Sequence, residues 1–303
     1  MAGNGGENEC LSSSIILWDN SSKNHINDVV LSVVNGTTAA FALLSNLAIT
    51  VTMIKKQLIV TPYDILIGSL TLVDCVAAIV AKPLYIALRM FLHHDQVACD
   101  SLRSLTNVAE SAILFCVGCS LLHIVLIAGD RCVALCKPVG YRTNYAKKVA
   151  LWLAGTCWLN WCFFIIFVQW IIPTSAVPVV RAFMAAVLLT SLVVLKIKTA
   201  VIVVRYNRSV LGSGTYSLYT QRLTIRERKV LADTRFTLLT FMVLFIPTAA
   251  LSIVRPAGIY GSAVFPWTIT ITLLNSAVNP LIQLWRNRKL RQSIAEVFWP
   301  CGY

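Results

Sequence analysis

Six polar side chains stand inside long apolar runs of this sequence: Asn46, Asp74, Ser120, Asn275, Ser276 and Asn279. One carboxylate among hydroxyl and amide oxygens is a hard-ligand set, suited to a small cation and water. The same set can serve as a water-satisfied packing network with no ion, and the oxygens alone leave both readings open. Asp130 and Arg131 close another apolar run. An acid beside a guanidinium is a simple ion pair or, if the arginine exchanges partners, a latch. Glu110 is a carboxylate near the start of that same run. Burying it in an apolar element demands a partner: either a cationic ligand or Lys82 of the preceding run, which makes Glu110 and Lys82 the ligand-contact candidates. No catalytic cluster stands out, so no enzyme is expected. His123 is the only histidine clearly within a run, and alone it reads as a packed, hydrogen-bonded side chain.

The elements that hold these residues follow from composition. Of 303 residues 57% are hydrophobic and 13% charged, with a mean hydropathy of +0.73. A water-soluble fold could not hide that much apolar side chain. The net charge of +13 falls in short clusters between apolar runs rather than along one face, which excludes nucleic acid as a partner and points to loops beside an anionic leaflet. A bilayer core of about 30 Å needs roughly 20 apolar residues per helix. Seven runs qualify, near 28–54, 60–90, 101–135, 145–172, 177–206, 226–254 and 264–285, the fifth interrupted by Lys196 and Lys198. Because backbone groups in lipid must bond internally, such runs are helices. The expected fold is an all-α membrane protein: an outer tail over 1–27, a seven-transmembrane-helix bundle over 28–285, and a short amphipathic cytoplasmic helix and tail over 286–303.

Lys55, Lys56, Lys137, Arg142, Lys147, Lys148, Arg205, Arg208, Arg222, Arg226, Arg228, Lys229, Arg286, Arg288, Lys289 and Arg291 follow runs 1, 3, 5 and 7. Positive charge marks the cytoplasmic side, so the N-terminus is expected outside and the chain is read as multi-pass in the plasma membrane. Glu110 then lies in the outer half of its span. Residues 1–27 carry no charged start and apolar stretch, so the first span must direct insertion. Asn20-Ser21-Ser22 outside is the glycosylation candidate, whereas Asn35-Gly36-Thr37 enters the membrane and Asn207-Arg208-Ser209 is cytoplasmic. Cys75, Cys116, Cys119, Cys132, Cys157 and Cys162 read as small packing residues. Cys10 and Cys99 stand outside and are disulfide candidates, subject to geometry; Cys301, after a basic stretch at the inner surface, is a palmitoylation candidate.

Ser45-Asn46-Leu47, Leu70-Thr71-Leu72-Val73-Asp74, Asp130-Arg131-Cys132, Trp158, Phe241 with Pro247, Asn275-Ser276 and Asn279-Pro280 appear in this order in six of the seven spans. The series resembles the rhodopsin-like (class A) G-protein-coupled receptors across nearly the whole chain. That resemblance implies a cell-surface receptor that converts an extracellular ligand, whether peptide, lipid or small molecule, into activation of a heterotrimeric G protein. It assigns Asp74, Ser120, Asn275, Ser276 and Asn279 to an allosteric sodium site, no other cofactor being expected. It assigns Asp130, Arg131, Glu227, Phe241, Phe245, Pro247, Asn279 and Pro280 to the activation switch, with Arg131 held at rest by Asp130 and Glu227. Cys132 replaces the family's tyrosine after the arginine, Gln283 its span-7 tyrosine and Phe245 its span-6 tryptophan.

The short stretch Pro173-Thr174-Ser175-Ala176-Val177-Pro178 holds no cysteine, Thr106 stands where the top of span 3 normally has one, and span 5 lacks proline. These features, with Asn107-Val108-Ala109-Glu110-Ser111, are similar to the melanocortin, lysosphingolipid, cannabinoid and adenosine receptor branch, melanocortin receptors nearest. Glu110 matches the acid that melanocortin receptors use for a cationic peptide and calcium, but Leu84 and Thr106 replace the other calcium acids. Ile113 at the amine-binding position disfavours aminergic receptors, and the middle of span 7 has no lysine for retinal. A seven-helix transporter or channel is the alternative, although it would want mirrored halves or broken midplane spans that the sequence lacks.

Overall fold

The computed structural model describes residues 25–91, 99–136, 141, 143–173, 176–212, 240, 242–248, 250 and 264–299, and among these all regular structure is helical. Span 1 is α1 (His25–Lys55). Span 2 is α2 (Pro62–Val76), a π-helical turn (Ala77–Ala81) and α3 (Lys82–Phe91). Span 3 is α4 (Cys99–Cys136), span 4 α5 (Asn144–Trp170) and span 5 α6 (Val177–Gly212). Span 7 is divided into α7 (Val264–Leu273) and α8 (Asn275–Arg286), and α9 (Arg288–Phe298) follows. Of the sixth run only residues 240, 242–248 and 250 are described, in helical conformation.

Local chemistry sets these boundaries. Thr61 caps α2 reciprocally: its Oγ1 accepts the Asp64 N–H at 3.4 Å while Asp64 Oδ2 accepts the Thr61 N–H at 2.7 Å, and Pro62 follows where no N–H is needed. Pro83 cannot donate to the Ile79 carbonyl, and the backbone just before it opens into the π turn, with the Lys82 N–H reaching back to Ala77. Span 5 continues through Lys196 and Lys198, where the run seemed interrupted, because long lysine stems lie along a helix while the ammonium reaches polar surroundings. Pro178 falls within its first turn, so span 5 lacks proline only in its interior.

Among the described residues five helices are long and apolar enough to cross a membrane: His25–Lys55, Pro62–Phe91, Asp100–Cys136, Asn144–Gln169 and Val179–Arg205. Leu44, Trp152, Phe163 and Phe183 are exposed on their outer faces, as lipid-facing side chains would be. The core lies between spans 2, 3, 4 and 5, built on Leu70, Cys119, Leu121, Cys157, Trp161 and Leu192, with Phe245 of the sixth run packed against it. Trp161 enters span 3 closely: a Cβ at Gly118 would fall 1.8 Å from its ring, and its Nε1–H donates to the Leu114 carbonyl at 2.9 Å.

Polar contacts tie the remaining spans. Asn35 of span 1 donates to Thr270 of span 7 at 2.9 Å, which agrees with its exclusion as a glycosylation site. Tyr85 of span 2 donates to the Pro266 carbonyl at 3.0 Å. Asp28 and Arg89 form an ion pair with side chains 3% and 5% exposed, Arg89 Nε donating to Asp28 Oδ1 at 2.8 Å. At the basic end α9 is capped by Asn287, buries Leu290 and Ser293, and is joined to span 1 by a 2.8 Å Lys56–Glu296 bridge. The basic segment after span 7 thus forms an amphipathic helix, as expected.

Candidate ligand pocket, polar core and arginine latch

Three sites lie along the bundle. The first is a cavity of about 160 Å³ among spans 3, 4, 5, 6 and 7, toward the Glu110 end, walled mostly by apolar side chains including Ile113, Trp161, Phe164 and Phe245. Among the described residues its one charged pair is Glu110 of span 3 with Arg181 of span 5, whose side chains are 7% and 13% exposed. Arg181 Nη1 donates to Glu110 Oε1, while the buried Arg181 Nε has no hydrogen-bond partner. Of the two partners left open for Glu110, Lys82 is therefore not the one it meets. Lys82 is fully buried, and its Nζ donates to Thr38 of span 1 at 2.9 Å, outside the cavity wall. The reason is packing: α4 lies along α6, which brings Arg181 to Glu110, whereas α3 turns Lys82 toward α1. Arg181, in the stretch Val179-Val180-Arg181-Ala182 at the start of span 5, is the pocket-lining partner of Glu110 that sequence reasoning missed; a lone charge at the end of an otherwise apolar run was the available signal.

The second site is the polar core. Asp74 is buried at 1% exposure and accepts the Asn279 Nδ2–H at 2.9 Å; Asn275 donates to Ser120 Oγ at 2.8 Å, and Ser276 Oγ donates to the Leu273 carbonyl at 3.0 Å. Pro280 lacks the N–H that would occupy the Ser276 carbonyl, and Asn46 of span 1 donates to that carbonyl at 3.0 Å instead. Four of the five residues expected around a sodium ion thus meet directly in two pairs, Asp74 with Asn279 and Ser120 with Asn275. The buried Asn275 Oδ1 has no hydrogen-bond partner, which together with the Asp74 carboxylate gives a hard-oxygen set that fits a small cation.

The third site is the latch at the basic end. Arg131 Nη2 donates to Asp130 Oδ2 at 2.7 Å and to Tyr141 Oη at 2.7 Å, and Tyr141 donates to the same Asp130 oxygen at 2.8 Å. The Tyr141 hydroxyl is pushed above its ordinary value, chiefly by burial, so it stays protonated and able to donate. The Arg131 guanidinium also lies 4.0 Å from the Tyr63 ring centroid, a contact the sequence did not suggest. Arg131 faces a cavity of about 600 Å³ whose lining includes Tyr63, Gln283, Arg286 and Lys289. Phe245 is buried and forms part of the ligand-pocket wall; Pro247 lies in the described helical segment of span 6. Glu227, Phe241, Cys10, Asn20, Cys301 and the side chain of Cys99 lie outside the described residues.

These features coincide with a family assignment. The model of the 7 transmembrane receptor (rhodopsin family) matches residues 45–282, and the chain belongs to that family. It is 24% identical to trace amine-associated receptor 8b of Rattus norvegicus, over 84% of this chain and 81% of that protein. It is 26% identical to olfactory receptor 4K17 of Homo sapiens, over 84% of each. The protein is a G-protein-coupled cell-surface receptor with a seven-transmembrane bundle. Its family is one of receptors, not enzymes. These relatives lend no support to a melanocortin placement, since a short loop and a few span-3 residues are too few positions to fix a branch.

Proposed function

We propose that the receptor is activated by a small, largely apolar ligand bearing one hydrogen-bond acceptor, which it reads at Arg181 and reports to a heterotrimeric G protein. The observation that carries this reading is the unpartnered, buried Arg181 Nε in the wall of an otherwise apolar cavity. A buried donor without a partner costs about 1–3 kcal/mol, which an acceptor on the ligand recovers. The volume of about 160 Å³ lies below the roughly 300–1,000 Å³ of drug-sized sites, favouring a small molecule over a peptide. Trace amine-associated relatives invite an amine reading. Here, however, Ile113 lines the pocket, and Glu110 already holds a guanidinium that would repel an ammonium. The loop and span-5 features keep the melanocortin, lysosphingolipid, cannabinoid and adenosine branch as a narrower placement, resting on those residues alone.

Ligand arrival shifts a population between two bundle packings and exposes the Arg131 cavity to the G protein. The clustered Lys and Arg residues support a reading in which that cavity faces the cytoplasm and the N-terminus lies outside the plasma membrane. Asp74, with Ser120, Asn275, Ser276 and Asn279, would hold an allosteric sodium ion that stabilises one packing. The test is nucleotide exchange in lipid nanodiscs against isosteric aromatic and aliphatic compounds ending in carboxylate, amide, alcohol or amine. Acceptor-ended compounds should activate the parent and lose at least tenfold in potency with Arg181→Gln. Activation by amines alone, unaffected by Arg181→Gln, overturns the reading, and solute flux without exchange would support a transporter.

A further inference from the structure

Cys119 and His123 stand one turn apart on α4, and Cys157 of α5 packs against both. The distances are 3.9 Å between the two sulfurs, 3.7 Å from Cys119 Sγ to His123 Nδ1 and 3.2 Å from Cys157 Sγ to His123 Nδ1. All three residues are buried. A tetrahedral zinc with Zn–S of about 2.3 Å and Zn–N of about 2.0–2.1 Å sets its ligands about 3.8 Å (S to S) and about 3.6 Å (S to N) apart. Two edges of the observed triangle, at 3.9 Å and 3.7 Å, lie close to those figures, and the third, at 3.2 Å, is the one that must open for a metal to enter. The far side of the imidazole is also arranged: His123 Nε2 lies 2.8 Å from Ser69 Oγ, which accepts the Trp158 Nε1–H at 3.0 Å. An outer partner of this kind fixes a histidine ligand's tautomer and ring orientation.

We propose that Cys119, His123 and Cys157 form a structural zinc site that clamps span 3 to span 4. On binding, both thiols lose their protons, so two protons leave as one Zn²⁺ enters. The Nδ1 proton, now donated to the Cys119 carbonyl at 2.8 Å, is replaced by one on Nε2 donated to Ser69. Two thiolates, a neutral imidazole and Zn²⁺ sum to zero charge. Cu⁺ on the same ligands leaves a net negative charge in the bundle interior, where unpaired charge is costly, so charge balance selects zinc. The vacated Cys119 carbonyl oxygen, which also lies 3.9 Å from Cys157 Sγ, is the nearest candidate for the fourth position.

The site is tested on receptor purified without chelator, under reductant, from cells supplied with zinc. Metal content by plasma mass spectrometry should be about one zinc per chain, and zinc-edge absorption should show two sulfur neighbours and one nitrogen. Cys157→Ser and His123→Asn should each reduce zinc at least tenfold, whereas Cys162→Ser, altering an exposed thiol, should retain it. Less than a tenth of an equivalent in the parent overturns the proposal whatever the variants do. Zinc bound only through oxygen and nitrogen, or copper in its place, overturns it equally. None of these readouts depends on a ligand or on signalling.

Discussion

Among single residues, buried charges have the most to lose. Asp28 and Arg89 face each other with almost no solvent, and removing one partner of such a pair costs about 3–5 kcal/mol because the other charge is left buried and uncompensated. Asp28→Asn should therefore lower the thermal midpoint of purified receptor clearly, while Lys56→Ala, breaking an exposed bridge, should leave it nearly unchanged. Similar midpoints for the two variants would mean that the Asp28–Arg89 pair is solvated and unimportant. Asp74 carries a prediction of function. If it holds sodium in the resting packing, Asp74→Asn should abolish the sodium dependence of agonist affinity and of thermal stability. A sodium response that survives the substitution removes the ion from the account and leaves the hydrogen-bonded network, in which Asn279 donates to Asp74, as the purpose of these residues.

For the elements, close helix approach is the controlling feature. Gly118 leaves the space into which the Trp161 ring fits, so span 4 can lie against span 3 and line part of the candidate ligand cavity. An added methyl cannot be accommodated at 1.8 Å without moving a rigid ring, and overpacking of this kind costs about 1–3 kcal/mol or more. Gly118→Ala should lower the thermal midpoint and reduce ligand affinity together, whereas Gly155→Ala, where nothing lies within 4 Å, should change neither. Equal midpoints for the two alanine variants would show that span 4 shifts freely. Span 7 illustrates the same dependence between helices. Its proline cannot donate to the Ser276 carbonyl, and Asn46 of span 1 does so instead, so the polar core ties span 7 to span 1.

In the whole molecule, the candidate ligand cavity and the Arg131 cavity occupy opposite halves of one bundle, and under the proposed function activation would be a change in the balance between two packings. Asp130, Arg131 and Tyr141 close a triangle at the basic end, and Tyr63 covers the guanidinium. Because about 1.4 kcal/mol is a tenfold change in an equilibrium, loss of one hydrogen bond is enough to raise ligand-free signalling. Tyr141→Phe should raise basal nucleotide exchange several-fold at matched surface density, and Glu227→Ala should do the same if Glu227 is the second restraint. Arg131→Ala should silence the receptor, since the arginine is also the expected G-protein contact. Basal exchange unchanged in Tyr141→Phe and Glu227→Ala would eliminate the latch, even with Arg131→Ala inactive.

The sequence by itself determined the membrane class, the helical fold, the polar core and the arginine at the end of span 3. Hydropathy over about 20 residues and charge between runs are local quantities, and the order of motifs along the chain is independent of how the helices pack. Asp74 and Asn279 were expected in one polar set because a charge in lipid must be paired or face an interior cavity, and the family resemblance put both at its sodium site. The partner of Glu110 could not be fixed in this way. Lys82 and Arg181 are both cations within apolar spans, and only the rotation of each helix decides that Arg181 faces the pocket while Lys82 faces Thr38. The Cys119–His123–Cys157 triangle was hidden for the same reason: two of its members share a helix turn, but the third comes from another span, and each alone reads as packing. Side-chain contacts between helices depend on rotation, tilt and depth, and those are fixed by the packing of all spans together.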